Sequence, residues 1–143
     1  MSKFVKVLVS FGGVGYAPVP GTCGSLAAFV LIWPLYDFLP YLTLFTAVLG
    51  LLLCKPAQDA FKHKDPKQFV LDEVCGMCLS LVGLPQSPVL ALTAFVLFRA
   101  LDVFKPWPIV LWDRGSKPLN IMWDDIAAGV GVNVILRVFM HFF

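Results

Sequence analysis

Residues 70–104 read VLDEVCGMCLSLVGLPQSPVLALTAFVLFRALDVF, and this stretch decides the fold. Two apolar segments, 70–84 and 89–104, lie on either side of the sequence PQSP. Because proline disfavours the continuation of a helix, this break predicts a turn between two antiparallel helices. Acidic residues stand at the outer ends of the pair, with Asp72 and Glu73 at its start and Asp102 near its end. The stretch therefore predicts a helical hairpin whose open end is acidic.

The rest of the chain repeats the same pattern of apolar segments and polar breaks. Further apolar segments cover residues 26–38, 41–54 and 126–143. The chain is 59% apolar and only 14% charged, whereas soluble domains are about 45–50% apolar. Its length of 143 residues suits a single domain, 1–143. We predict an all-α fold, namely a small polytopic membrane protein built from antiparallel helices.

The length of the segments leaves more than one arrangement open. Several have only about 13–16 residues, whereas a comfortable membrane span needs about 20. Such helices can tilt, continue into flanking residues or enter the bilayer partway. An alternative interpretation joins residues 26–54 into one kinked span, which would place the N-terminal motif and the acids on opposite sides.

Under the hairpin interpretation, the basic residues fall on one side of the membrane. That side contains Lys3, Lys6, Lys55, Lys62, Lys64, Lys67, Lys105, Arg114 and Lys117, whereas the opposite turns contain no Lys or Arg. The positive-inside rule makes the basic side cytoplasmic. The same arrangement brings five acids, Asp72, Glu73, Asp102, Asp124 and Asp125, to the cytoplasmic interface. The net charge of +2 and the lack of a dense basic run argue against a nucleic-acid partner.

These five carboxylates predict a site for a hard cation. An acid inside a bilayer costs roughly 2.5–3.5 kcal/mol, so such acids are functional candidates, and Mg²⁺ prefers carboxylate and water oxygens. Adjacent helical residues point about 100° apart. We therefore expect Asp72 and Asp124 to cap helices while Glu73 and Asp125 bind metal. Helix capping and dipole compensation by both pairs is the alternative interpretation.

Asp102 lies near a predicted helix C-terminus, where an acid is unfavourable. It shares a helical face with Arg99 and Lys105, each three residues away. Local ion pairs are one explanation. The functional explanation makes Asp102 a third metal ligand, beside Glu73 and Asp125, and lets Arg99 and Lys105 neutralise a phosphate.

Two further motifs have both a functional and a structural explanation. The glycine- and proline-rich loop at residues 12–25 runs into a helix, where backbone N–H groups and the hydroxyls of Thr22 and Ser25 could bind an anion. A structural turn explains this loop equally well, since it lacks the ending of a nucleotide-binding P-loop. Asp125, Gly129 and Asn133 fall on one helical stripe, and Gly129 would let a second helix approach closely, which helps to bring acids together. Core packing alone explains this glycine equally well.

With these motifs in place, the chain resembles the phosphatidylglycerophosphatase A family of bacterial membrane phosphatases. The matching stretches are residues 15–27 (GYAPVPGTCGSLA), 71–77 (LDEVCGM), 98–109 (FRALDVFKPWPI) and 121–129 (IMWDDIAAG). One departure is the loop at 116–120, which is usually glycine-rich in the family and here reads SKPLN.

The resemblance implies Mg²⁺-dependent hydrolysis of phosphatidylglycerophosphate to phosphatidylglycerol in the bacterial cytoplasmic (inner) membrane. It also implies that the five acids act in catalysis, with Lys105 beside them. The chain lacks the residue patterns of thiolate, phospho-aspartate and phospho-histidine phosphatases, so metal-activated water is the simplest mechanism. A small cation carrier or channel subunit that uses the same acid cluster is the alternative function.

Overall fold

The computed structural model describes residues 2–113 and 117–143, and this part of the chain forms seven helices and no strand. The helices are α1 (Ser2–Val9), α2 (Pro20–Ile32), α3 (Leu39–Phe61), α4 (Leu71–Leu81), α5 (Pro88–Phe104), α6 (Val110–Asp113) and α7 (Asn120–Phe142). Single 3₁₀ turns occur at Val14–Tyr16 and Tyr36–Phe38. The predicted all-α fold is confirmed. Arg114 and Ser116 lie outside the described residues.

Helix α4 forms the centre of the bundle. Nine of its eleven residues are buried, and α2, α3, α5 and α7 pack around it. A helix that is apolar or small on all sides is suited to such a position. One apolar core includes Met77, Leu81 and Phe98, which come from α4 and α5. The acids that open α4 are therefore held by the most enclosed element of the fold.

Two helices, α3 and α7, are long and apolar enough to cross a membrane. Each has 23 residues, which at about 1.5 Å per residue exceeds the roughly 30 Å of a hydrocarbon core. Large apolar side chains are exposed along both helices, including Phe45 and Leu52 on α3 and Val134 and Val138 on α7. Apolar faces of this kind suit a lipid environment better than water.

The predicted turn at residues 85–88 is confirmed. Helix α5 begins with Pro88, and the Ser87 hydroxyl accepts a hydrogen bond from the Leu90 N–H at 3.5 Å. Proline and serine are favoured at these two positions of a helix start. The turn also meets the connection between α2 and α3: the Tyr36 hydroxyl donates to the Pro85 carbonyl, 3.1 Å away, and the Gln86 amide donates to the Trp33 carbonyl, 2.8 Å away.

Several helix boundaries differ from the predicted segments. Helix α2 ends at Ile32, and a turn separates it from α3, so residues 26–54 do not form one continuous helix. Helix α7 begins at Asn120, which places Asp124 and Asp125 inside the helix instead of at its start. The sequence analysis did not predict α1, whose Val5 and Val9 are buried against a second apolar cluster.

Candidate active site

All five predicted acids line one cavity of about 280 Å³. Asp72 and Glu73 come from the first turn of α4, Asp102 from the last turn of α5, and Asp124 and Asp125 from α7. Twelve further residues complete the wall: Pro20, Gly21, Gln58, Lys64, Asp65, Pro66, Lys67, Phe69, Lys105, Lys117, Asn120 and Ile121. Because helix starts and helix ends meet at this cavity, α2, α4 and α7 run away from it, whereas α3 and α5 run towards it.

Three of the acids lie close enough to share a cation. Asp72, Glu73 and Asp125 each offer a carboxylate oxygen, and these three oxygens lie within 4.8 Å of one another. At this separation each pair of negative charges repels by roughly 3 kcal/mol at an effective dielectric constant of about 20. Glu73 Oε2 and Asp125 Oδ1 are buried and have no hydrogen-bond partner among the described residues. Buried carboxylate oxygens without partners fit a bound metal ion. Such an ion would offset the repulsion between the carboxylates and would give the two oxygens a ligand.

Close contact between α4 and α7 brings these acids together. A methyl group added at Gly129 would lie 2.5 Å from the Gly76 carbonyl oxygen and 3.1 Å from its Cα. A methyl group added at Gly76 would lie 2.7 Å from the Asp125 carbonyl oxygen. The two backbones thus touch one helical turn beyond Asp72 and Asp125. The predicted role of Gly129 in close helix approach is confirmed.

Within each acidic pair, the first residue makes a local hydrogen bond. Asp72 Oδ1 accepts from the Glu73 N–H at 3.0 Å, and Asp124 Oδ1 accepts from the Asp125 N–H at 3.0 Å. Neither acid is the residue that precedes its helix, a position taken by Val70 and Leu119. The second acid of each pair has one carboxylate oxygen without a hydrogen-bond partner in the described part of the chain. Asp72 completes the group of three acids.

The other two acids are paired with cations. Arg99 Nη1 lies 2.5 Å from Asp102 Oδ2, and Lys105 Nζ lies 2.6 Å from Asp124 Oδ2. All four side chains are mostly buried. The predicted ligand Asp102 therefore lines the cavity with its charge balanced by Arg99, while Asp124 holds Lys105 at the cavity wall.

The glycine-rich loop approaches the acids through Gly21. A methyl group added there would lie 2.7 Å from Glu73 Oε1 and 3.3 Å from both terminal nitrogens of Arg99. The predicted phosphate ligands Thr22, Ser25 and Arg99 are not among the described residues that line the cavity. The Ser25 hydroxyl instead donates to the Gly21 carbonyl at 2.9 Å. Of the predicted phosphate-binding residues, Lys105 is the one that lines the cavity.

Several cavity residues were missed by the sequence analysis. They are polar or basic and come from the loop before α4, from the residues before α7 and from the first position of α7: Lys64, Lys67, Lys117 and Asn120. The sequence predicts only that the three lysines lie on one side of the membrane, because loop residues have no periodic pattern that indicates which site they line.

Comparison with known proteins shows the family of the chain. The family model described as phosphatidylglycerophosphatase A matches residues 7–140. The chain belongs to the phosphatidylglycerophosphatase A family. All five acids and Lys105 lie inside the matched range. The predicted family is therefore confirmed.

Three relatives give the extent of the similarity to phosphatidylglycerophosphatase A proteins. The chain is 43% identical to phosphatidylglycerophosphatase A of Escherichia coli (strain K12) over 85% of this chain and 74% of the relative. It is 34% identical to the Haemophilus influenzae protein of that name, over 90% of this chain and 83% of the relative. It is 30% identical to a putative phosphatidylinositol-3-phosphatase of Bacteroides thetaiotaomicron, over 95% of this chain and 94% of the relative. No solved structure matches the chain significantly.

Proposed function

We propose that this chain is a lipid phosphatase that hydrolyses phosphatidylglycerophosphate to phosphatidylglycerol and inorganic phosphate. The observation that carries the proposal is the buried group of Asp72, Glu73 and Asp125 in one cavity with Lys105. Two of these acids have a buried oxygen that no described residue hydrogen-bonds. Membership of the phosphatidylglycerophosphatase A family supports the substrate. The relative named as a phosphatidylinositol phosphatase supports the broader class, a phosphate monoester on a lipid headgroup.

The proposed cofactor is Mg²⁺, held by Asp72, Glu73 and Asp125. The all-oxygen donor set and the two buried, unpartnered oxygens support this ion. When bound, Mg²⁺ would neutralise charge on the phosphate oxygens and make a water molecule more acidic. Asp102 remains a predicted member of the site. Its contact with Arg99 supports a role in holding the Arg99 guanidinium group beside the other acids.

The chain's own side chains supply charge and positioning. Phosphoryl transfer is catalysed mainly by orientation of the reactants and neutralisation of the equatorial oxygens. Lys105, fixed by Asp124, presents an ammonium group to a phosphate in the cavity. A carboxylate oxygen of this group that the metal leaves free would accept the proton that an attacking water gives up.

We further propose that the protein is a multi-pass protein of the bacterial cytoplasmic membrane, with α3 and α7 as spans and the cavity facing the cytoplasm. The apolar length of the two helices supports the spans. The lysines around the cavity support the orientation, because basic residues concentrate on the cytoplasmic side. A site at this interface lets the acyl chains of a substrate stay in lipid while its headgroup reaches the acids.

The proposal predicts that Glu73→Gln and Asp125→Asn each reduce turnover at least about a hundredfold. Replacing a residue that only supports a metal ligand already lowers metal affinity or activity about 10–100-fold, so loss of a ligand should cost at least as much. The measurement is phosphate release from phosphatidylglycerophosphate in detergent micelles with Mg²⁺, and again with EDTA. The matched control is Asp59→Asn, because Asp59 is an exposed acid paired with Lys55 and does not line the cavity.

Two outcomes would contradict the proposal. One is full turnover by the Glu73→Gln/Asp125→Asn double variant. The other is the absence of phosphate release from folded wild-type protein supplied with Mg²⁺. Metal-stimulated ion flux through proteoliposomes without phosphate release would instead support the cation-carrier alternative.

A further inference from the structure

Three lysines form a basic rim around the acidic cavity. Lys64, Lys67 and Lys117 line the cavity and are exposed. Asp72, Asp124 and Asp125 line the same cavity but are buried, with 9%, 8% and 2% of their surface exposed. The charge of the wall therefore changes with depth, from acids at the floor to lysines at the mouth.

Among the described residues, the rim lysines have no ion-pair partner. Lys55 pairs with Asp59 and Lys105 with Asp124, but within residues 2–113 and 117–143 no carboxylate lies within ion-pair distance of a rim lysine. The acidic side chain at the mouth is Asp65, whose backbone is held by the His63 ring. Three exposed lysines around one opening suit an anionic ligand.

The loop that carries two of these lysines is anchored. The Gln58 amide of α3 donates to the Lys64 carbonyl. Pro66 is buried, and its carbonyl accepts from the Phe69 N–H at 2.9 Å. The Val70 N–H donates to the Val9 carbonyl of α1, also at 2.9 Å. This anchoring keeps Lys64 and Lys67 at the mouth of the cavity.

We infer that Lys64, Lys67 and Lys117 bind the inner phosphate of the substrate, the phosphodiester that joins its glycerol headgroup to the lipid. This inference rests on the proposed function. Phosphatidylglycerophosphate has two phosphates separated by glycerol: the terminal one must reach the floor, which leaves the diester at the mouth. Lysine recognises such a group as a point charge. The rim therefore favours headgroups with two phosphates over simple monoesters.

The test measures KM and kcat for phosphatidylglycerophosphate in Lys→Gln variants of the three rim positions. We expect KM to rise about threefold for each single variant and about tenfold for the triple variant, while kcat changes little. The effects are small because ion pairs between exposed groups contribute little binding free energy. The matched control is Lys62→Gln, which removes the same charge from the same loop at a position outside the cavity wall. Circular dichroism in detergent checks that each variant is folded.

A second readout identifies the phosphate that is bound. Competitive inhibition is measured with two compounds. Glycerol 3-phosphate has one phosphate monoester, whereas the deacylated substrate, called here the deacylated headgroup, has a monoester and a diester. Wild type should bind the deacylated headgroup more tightly, and the triple variant should lose this preference. An unchanged KM, an equal effect of Lys62→Gln, or equal weakening of both inhibitors would overturn the inference. Loss of all turnover in wild type would instead count against the proposed function.

Discussion

At the scale of single residues, the pair Lys105–Asp124 joins the end of α5 to α7. Lys105 ends α5 with a left-handed backbone, φ 43°, and its N–H donates to the Leu101 carbonyl. Its ammonium group lies 2.6 Å from Asp124, and the two side chains are 26% and 11% exposed. An ion pair this enclosed positions a cation, but breaking it leaves one charge poorly compensated.

A double-mutant cycle separates the two roles of this pair. Lys105→Gln and Asp124→Asn should each lower the melting temperature, because each removes one side of a mostly buried ion pair. The double variant should recover part of the loss, with a coupling of about 0.5–3 kcal/mol. Turnover should stay low wherever Lys105 is replaced, since the phosphate loses its cation.

The measurements are thermal unfolding in detergent and phosphate release on the same samples. Additive losses of stability would show that the two side chains do not interact. Wild-type turnover in Lys105→Gln would show that the ammonium group does not act on the substrate.

At the scale of helices, the crossing of α4 and α7 organises the site. Gly76 and Gly129 let the backbones touch, and Asn133 continues the contact one turn further along α7. Its amide donates to the carbonyls of Leu79, Ser80 and Val82 at 3.1, 3.2 and 2.9 Å. These bonds satisfy carbonyl groups at the end of α4 that have no partner within the helix.

Gly129→Ala should therefore push α4 and α7 apart. The added methyl would meet backbone atoms of Gly76 that cannot move aside alone, and overpacking of this kind costs roughly 1–3 kcal/mol. We expect a lower melting temperature together with reduced turnover and a higher Mg²⁺ requirement, because Asp72 and Asp125 separate. The control is Gly131→Ala in the same helix, whose methyl would meet the Leu101 side chain at 3.3 Å.

If the Gly129→Ala variant keeps the melting temperature and the Mg²⁺ requirement of wild type, the contact between α4 and α7 does not position the acids. Equal loss in Gly131→Ala would show only that α7 tolerates no added methyl group.

Helix positions were predictable only where local signals are strong. The PQSP sequence located the turn before α5, since proline and a capping serine act within one turn of a helix. The starts of α2 and α7 lie six residues before the apolar segments beginning at 26 and 126, because a helix that packs on its neighbours continues through polar residues without apolar periodicity. Helix α1 was missed because it is short and gains its stability from packing against α3.

At the scale of the whole molecule, the ends of five helices form the cavity, while the two turns bonded through Tyr36–Pro85 and Trp33–Gln86 form the other end of the bundle. Helix α3 runs between these ends, with Asp37 just before it and Asp59 near its last turn. The proposed topology places these two exposed acids on opposite sides of the membrane.

This arrangement predicts opposite labelling of two cysteine variants. In intact bacterial cells, a membrane-impermeant maleimide should label Asp37→Cys, whereas Asp59→Cys should require permeabilised cells. Cys54, Cys75 and Cys78 are buried, but Cys23 is partly exposed, so both variants are made in a Cys23→Ser background, which also provides the control. Labelling of both variants from the same side would show that α3 does not cross the membrane, and the reversed pattern would invert the proposed orientation.

The sequence alone determined the helical class, the acidic residues, their shared location at one end of the helical bundle and the family. These properties depend on local apolar runs, proline breaks and short motifs, which act within a few residues. Only the tertiary structure decided that Asp72 joins Glu73 and Asp125 while Asp102 pairs with Arg99, and that three loop lysines surround them. These outcomes depend on the glycine contact between α4 and α7 and on the loop anchors, which join residues far apart in sequence.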